Sequence, residues 1–240
     1  MSSIFKINNG FLGYRNSSET EYFSGSDTEE LFNENLRTKP VDWIYRTKQI
    51  SYVRNKNGHR CNELEMLKDE YILYTGCSHT EGIGIALEDS YAYISSKNLG
   101  TDYYNLGLGG SGIDAMIYNL SVWFAITPKK PLALVVQWPE ETRMLGIEVR
   151  DSVTFCPIRL AHETDDKYKQ FLKSSWEIDF FECRKKLAQE FLNNLRSQTH
   201  VLEIADIQKF SIDNGRDLHS GINSNSMTAK FIEGHLKDKI

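Results

Sequence analysis

Three side chains in this sequence have the types needed for a relayed nucleophilic attack. Ser78 stands in Gly76-Cys77-Ser78-His79-Thr80-Glu81-Gly82, and Asp217 and His219 stand in Arg216-Asp217-Leu218-His219-Ser220-Gly221. A serine hydroxyl attacks a carbonyl only when a base takes its proton and donors hold the oxyanion that forms. Histidine supplies the base, and a carboxylate beside it fixes the tautomer. Asp217 and His219 are two positions apart, so in an extended segment both side chains leave the same face of the chain. Asp213 is an alternative orienting acid on the same stretch.

These residues need elements to hold them. Tyr71-Ile72-Leu73-Tyr74 reads as a short buried strand that ends in a sharp turn at Thr75-Gly76, with Ser78 at the tip. Gly82 and Gly84 leave room for close backbone approach before a helix near 87–98. Backbone N–H groups at a helix start beside Ser78 can bind a developing oxyanion. A strand over 102–106 runs into the turn Gly107-Leu108-Gly109-Gly110-Ser111-Gly112. The next helix places Ile113, Met116, Ile117, Leu120, Trp123 and Phe124 on one face, and Pro128 and Pro131 end it. Leu132 to Val136 is a continuous apolar run, as in a parallel sheet covered on both faces. Helical periodicity returns from Asp166 to about Arg196 with one break, followed by a strand at 201–204 and a helix over 227–238. Residues 139–165 give no clear pattern. Strands alternating with helices predict an α/β fold with a mostly parallel sheet. Ligands bind such sheets at the carboxyl ends of the strands, where the 76–82, 107–112 and Gln137-Trp138 turns all fall.

The 76–82 stretch resembles the first block of the SGNH (GDSL-type) hydrolases, G-D-S-x-T-x-G, with Cys77 where the family has Asp. The resemblance places the nucleophile on Ser78 and gives Cys77 a packing role. Residues 216–221 resemble the family's last block, D-x-x-H, although Asp217-Leu218-His219 is one residue short of that spacing. Asn105 to Ser111 resembles the second block, whose glycine N–H contacts the oxyanion, and this role maps onto Gly110. The third block, G-x-N-D, is absent. Gln137, at the corresponding strand end, carries an amide that could stand in for its asparagine. His79 would line the site, and Arg143 would contact an anionic or polar group of the substrate. The Trp43…Asn55-Lys56-Asn57-Gly58 approach to the turn is similar to that of a phage-encoded subset. The family resemblance implies a three-layer α/β/α sandwich of SGNH-hydrolase/flavodoxin-like character. It further implies a serine esterase or acetylesterase acting through an acyl-enzyme on a small acyl ester of a carbohydrate, with no cofactor and no metal.

The chain of 240 residues carries 28 basic and 33 acidic residues, a formal charge of −5, and no basic block that would ask for nucleic acid or an anionic membrane. It has no apolar run long enough to span a membrane and no secretory signal at its start, so a cytoplasmic location is expected, with virion association a further possibility. Cys61, Cys77, Cys156 and Cys183 are scattered and read as reduced thiols. Residues 1–69 are expected to form an arm and a β-hairpin extension, with a solvated segment to about 40 and the hairpin over 40–68. Residues 70–240 form the hydrolase-like domain. Two other readings stand beside the esterase. One is a non-catalytic binding or virion-associated protein that lacks the third block. The other is a dinucleotide-binding enzyme, because Gly107, Gly109 and Gly112 match G-x-G-x-x-G.

Overall fold

Four short strands build the parallel sheet that carries the site: β3 (Tyr71–Thr75), β4 (Asp102–Asn105), β5 (Ala133–Gln137) and β8 (His200–Ile204). The computed structural model describes residues 5–14, 19–149, 153–159 and 166–240. The sheet order is β4-β3-β5-β8 and every pairing is parallel, with Leu73 opposite both Tyr104 and Leu134. Residues alternate across such a sheet. Tyr71, Leu73, Leu134 and Val136 face one apolar layer with α4 (Ile113–Ile126) and α6 (Phe180–Leu195), where Leu120, Trp123 and Leu192 are fully buried. Ile72, Tyr74, Ala133 and Val135 face the other layer, made by α3 (Tyr91–Asn98) and α7 (Ile222–Leu236). The result is the expected α/β/α sandwich. Each fully buried aliphatic chain in these layers contributes about 2 kcal/mol, and Leu134→Ala would cost about 3 kcal/mol once the cavity is counted.

The chain leaves β3 for β4 on one side and returns past it to β5 on the other. This makes the carboxyl end of β3 a topological switch point, the place where flavodoxin-like sheets bind ligands. The turn with Ser78 sits there.

A second, antiparallel sheet has the order β2-β1-β7-β6, from β1 (Phe5–Asn8), β2 (Phe11–Tyr14), β6 (Arg143–Val149) and β7 (Val153–Arg159). The patternless stretch 139–165 therefore contains a hairpin, of which 150–152 and 160–165, including His162, lie outside the described residues. The N-terminal hairpin is β1–β2. Its turn, Asn9-Gly10, has positive φ at both residues, 52° and 90°, as a type I′ turn requires.

The expected hairpin over 40–68 is not formed. That stretch holds short 3₁₀ turns at Ile44–Arg46 and Leu64–Met66 and an isolated bridge from Tyr52 to Glu21. Its side chains compete for the backbone: Asn55 Oδ1 accepts from the N–H groups of Asn57 and His59, each at 3.0 Å, which folds the chain into a turn instead of a ladder. The described residues before 40 are also not wholly a solvated arm. Phe5, Phe11, Leu12 and Asp27 are buried, and Phe11 packs in the same layer as Trp123. α1 (Glu29–Thr38) starts at Thr28, whose hydroxyl caps Leu31 N–H.

The break in the long helical stretch falls between α5 (Asp166–Glu177) and α6, where Asp179 has φ 52°. α7 begins at Ile222, five residues before the expected start, because Asp213 reaches across to accept from Asn223 and Ser224 N–H at 3.0 and 2.8 Å. Those bonds satisfy first-turn donors that no residue of the helix can. Asp213 therefore serves α7, and it does not orient His219.

Candidate active site

The turn after β3 is set by tight packing and one amide. A Cβ at Gly76 would come within 2.2 Å of Thr80 Oγ1 and 2.8 Å of Gln137 O, so only glycine fits. Gln137 Oε1 accepts from Cys77 N at 3.1 Å, Cys77 Sγ at 3.2 Å and Thr80 Oγ1 at 3.2 Å. These bonds fix the start of α2 (Ser78–Glu81), a single helical turn with Ser78 first. The Ser78 N–H has no protein partner among the described residues. Cys77 is buried beside it, bonded to Gln137.

The loop before α7 brings the base. Arg216 N–H donates to Gly84 O at 2.7 Å, and Gly215 N–H to His219 O at 2.7 Å, which folds the loop back over the turn. Gly84 has φ +80°, and a Cβ there would stand 2.1 Å from Asp217 Oδ1. Asp217 Oδ2 lies 2.6 Å from His219 Nδ1, and Oδ1 accepts the His219 backbone N–H at 3.0 Å. His219 Nε2 lies 2.7 Å from Ser78 Oγ. An ionised carboxylate only accepts, so Nδ1 carries its proton and Nε2 is left to accept from the serine. Burial works against ionisation of Asp217, but the bonds from His219 and Ser26 outweigh it and hold its carboxyl below the ordinary value. The short spacing Asp217-Leu218-His219 is thus enough: Leu218 points out, 82% exposed, while its neighbours meet on the other side.

The glycine loop after β4 lies against this turn. Leu108 N–H and Ser111 Oγ both donate to Gly76 O, each at 3.3 Å. The Glu81 carboxylate takes Gly109 N–H at 2.7 Å and Tyr14 O–H at 2.9 Å, and Arg54 binds its other oxygen at 2.9 Å. Asn105 Oδ1 takes Gly107 N–H at 2.9 Å. Two of the three glycines of the G-x-G-x-x-G pattern therefore spend their N–H groups inside the protein. The buried Gly110 N–H has no partner among the described residues.

A cavity of about 400 Å³ opens beside the turn, lined by His79, Trp138, Glu140, Arg143 and Asp206 among others. His79 stacks edge-on to His219 with ring centroids 4.9 Å apart. Burial, then the neighbouring His219 and Arg143, push its pKa down to about 4, so it is neutral near pH 7. Arg143 Nε bonds Glu140 Oε2 at 3.1 Å, and its buried Nη1 has no partner among the described residues. Gln137 braces the turn: its oxygen accepts from Cys77 and Thr80, and one proton of its amide nitrogen goes to Trp138 O. This leaves the second amide proton facing the cavity that Gln137 helps to line. Among the described residues no group of three or more His, Cys, Asp or Glu is placed to hold a metal ion.

No family model and no curated protein sequence matches the chain. Solved structures do resemble it. A member of the lipolytic G-D-S-L family from Veillonella parvula is 13% identical, covers 71% of this chain and 100% of its own, and superposes with a TM-score of 0.40. An acetyl xylan esterase from Butyrivibrio proteoclasticus is 16% identical over 74% of this chain and 66% of its own, with a TM-score of 0.41. A family two carbohydrate esterase from Clostridium thermocellum, in complex with cellohexaose, is 14% identical over 72% of this chain and 65% of its own, with a TM-score of 0.39. The chain spans about two thirds of the length of these two esterases.

Three contributors to the site escaped the sequence. Ser26 Oγ stands 2.7 Å from Asp217 Oδ2, yet it lies in a polar run with no sign of structure. Glu81 and Arg54 form a buried ion pair, 1% and 6% exposed at their side chains, that supports the glycine loop. The signal for Glu81 was present in the sequence, since an acid between Thr80 and Gly82 at a buried turn needs a partner.

Proposed function

We propose that the protein is a serine ester hydrolase, and the observation that carries this is the continuous chain of contacts Ser78–His219–Asp217. Ser78 Oγ attacks the acyl carbon while its proton passes to His219 Nε2. The imidazolium is held by Asp217, and the oxyanion by the Ser78 and Gly110 N–H groups, both free to donate. His219 then gives the proton to the leaving alkoxide, and the bond to the alcohol breaks. Water enters, loses its proton to His219, and attacks the acyl-enzyme, which releases the acid and restores Ser78.

The cavity lined by Cys77 and His79, the two neighbours of Ser78, supports a polar substrate. Its lining of Glu140, Arg143, Asp206 and Trp138 suits a hydroxyl-rich alcohol such as a sugar and offers no greasy channel for a long acyl chain. A small acyl ester of a carbohydrate is the substrate class we assign, with His79 and Arg143 as contacts. A fluorophosphonate probe tests the reading: it should attach to Ser78 stoichiometrically, and peptide mapping should find it nowhere else. Failure to label, together with inactivity on p-nitrophenyl acetate and on acetylated sugars, would favour a binding protein built on the same scaffold.

A further inference from the structure

We infer that Ser26 is a positioning residue of the Ser78–His219–Asp217 relay, so that the segment before the sheet completes the site; the inference rests on the hydrolase reading above. Ser26 Oγ lies 2.7 Å from Asp217 Oδ2 and 3.3 Å from His219 Nδ1. The carboxylate can only accept, so the Ser26 hydroxyl donates to it. Oδ2 is then shared between Ser26 and the His219 ring, while Oδ1 takes the His219 backbone N–H. With both oxygens occupied, rotation of the carboxylate is blocked, and the Nδ1–H tautomer that leaves Nε2 open to Ser78 is the one retained.

The next residue explains why Ser26 stands there. Asp27 is 1% exposed and accepts from Arg216 Nε at 2.8 Å, from Arg216 Nη2 at 2.6 Å and from Tyr52 O–H at 2.5 Å. Arg216 immediately precedes Asp217, so this buried pair fastens the segment to the root of the loop that bears the relay. The Arg216 guanidinium also lies over the rings of Phe23 and Phe32, at 4.5 and 5.2 Å, and Asn35 donates to Arg216 O at 2.9 Å. Asp27 thus has an anchoring task, and Ser26 does not. Ser26 is exposed and makes no other hydrogen bond among the described residues. The other titratable groups that act with Asp217 are His79 from α2 and Tyr45 from the 3₁₀ turn, with Asp27 and Arg216 alongside.

The test compares Ser26→Ala and Ser26→Thr with the unaltered full-length protein. In Ser26→Ala the Asp217 carboxyl, followed by its ¹³C resonance, should titrate at higher pH, because one of the bonds that favour its ionised form is gone. Turnover of p-nitrophenyl acetate should fall about fivefold with KM unchanged, the equivalent of one hydrogen bond of about 1 kcal/mol. Ser26→Thr keeps the hydroxyl and should restore both. A carboxyl titration in Ser26→Ala that superimposes on the unaltered protein overturns the inference. So does a shifted titration with full turnover, or a loss of folding stability with no shift. The titration needs no substrate. Failure of the hydrolase reading would show instead as an unaltered protein that is inert to esters and fluorophosphonate.

Discussion

The Glu81 carboxylate accepts the Gly109 N–H at 2.7 Å, which ties the turn that carries Ser78 to the loop that carries Gly110. The same carboxylate is buried and held from behind by Arg54, and Tyr14 from the N-terminal hairpin shares it. One side chain therefore sets the separation between the proposed nucleophile, Ser78, and the proposed oxyanion donor, Gly110.

Glu81→Gln should disturb that spacing and leave Arg54 with the half-exposed Glu21 as its carboxylate partner among the described residues, beside Ser24 Oγ. Breaking a buried ion pair costs about 3 kcal/mol or more. Urea unfolding should show that loss, and turnover should fall more than tenfold at saturating substrate, since the lost contact matters most when the oxyanion forms. Full turnover in a destabilised variant would separate Glu81 from the chemistry.

Cys77 and Ser78 are neighbours, and either could meet an electrophile. The thiol donates to Gln137 Oε1 and the hydroxyl faces His219 Nε2, so the two should behave differently. Ser78→Ala should lower turnover at least ~1000-fold, whereas Cys77→Ser should keep most of it. The reverse pattern, with inactivation by mild alkylation, would move the nucleophile to the thiol.

Acid should destabilise the protein in a defined window. His59 and His79 have pKa values lowered from 6.5 to about 4, in both cases chiefly by burial. The unfolded chain takes up these protons near pH 6.5 and the folded one does not, so stability is complete above that pH and falls between 6.5 and about 4. Each group contributes up to about 1.4 kcal/mol per pH unit. Asp217 acts differently: its carboxyl is lowered, so its share is present above the ordinary carboxyl value and is lost only in stronger acid. Urea titrations at several pH values should give this slope, and His79→Asn should roughly halve it. A flat profile from pH 7 to 4.5 would contradict the burial of both rings.

Gly84→Ala tests the seat of the loop. The residue has φ +80°, and the added methyl would meet Asp217 Oδ1 at 2.1 Å. Strain of this kind costs about 1–3 kcal/mol. The carboxylate must move, so fluorophosphonate labelling of Ser78 should slow by more than tenfold. Labelling at the normal rate would mean that His219 holds its place without Asp217.

The parallel sheet could be read from the sequence because its central strands are continuous apolar runs bounded by glycine or proline, as in Tyr71–Thr75 and Ala133–Gln137. Ser78, His219 and Asp217 were visible for a related reason: they stand in glycine-flanked polar turns, one after β3 and one before α7, which carry their own punctuation. The antiparallel sheet was hidden. β1 and β2 are four residues each, and β6 and β7 mix charges with apolar residues, so no period stands out. Ser26, Asp27 and Arg54 were hidden more deeply. Their roles depend on partners between 25 and 193 positions away, and nothing local in SGSDTEE distinguishes an anchor from a solvated run. Gln137 shows a different gap: an amide at the right strand end looks like a donor to substrate, and only the structure reveals that its oxygen also braces Cys77 and Thr80.

Ser26 and Asp217 are 191 positions apart, and Tyr14 and Glu81 are 67 apart, so the site is closed by contacts between segments far apart in sequence. A ribosome makes Tyr14 and Ser26 before the strands of the parallel sheet and the Asp217-His219 loop after them. The sheet strands β3, β4 and β5 can pair while synthesis continues, but the serine then has no base, and its anchoring segment has nothing to hold. Contacts of such long separation also form late in refolding from denaturant, since the intervening chain must be ordered before they are rewarded. Recovery of fluorophosphonate reactivity should therefore lag behind recovery of helical signal. On the proposed mechanism, a half-made or half-folded chain would already have Ser78 in place and still be chemically silent.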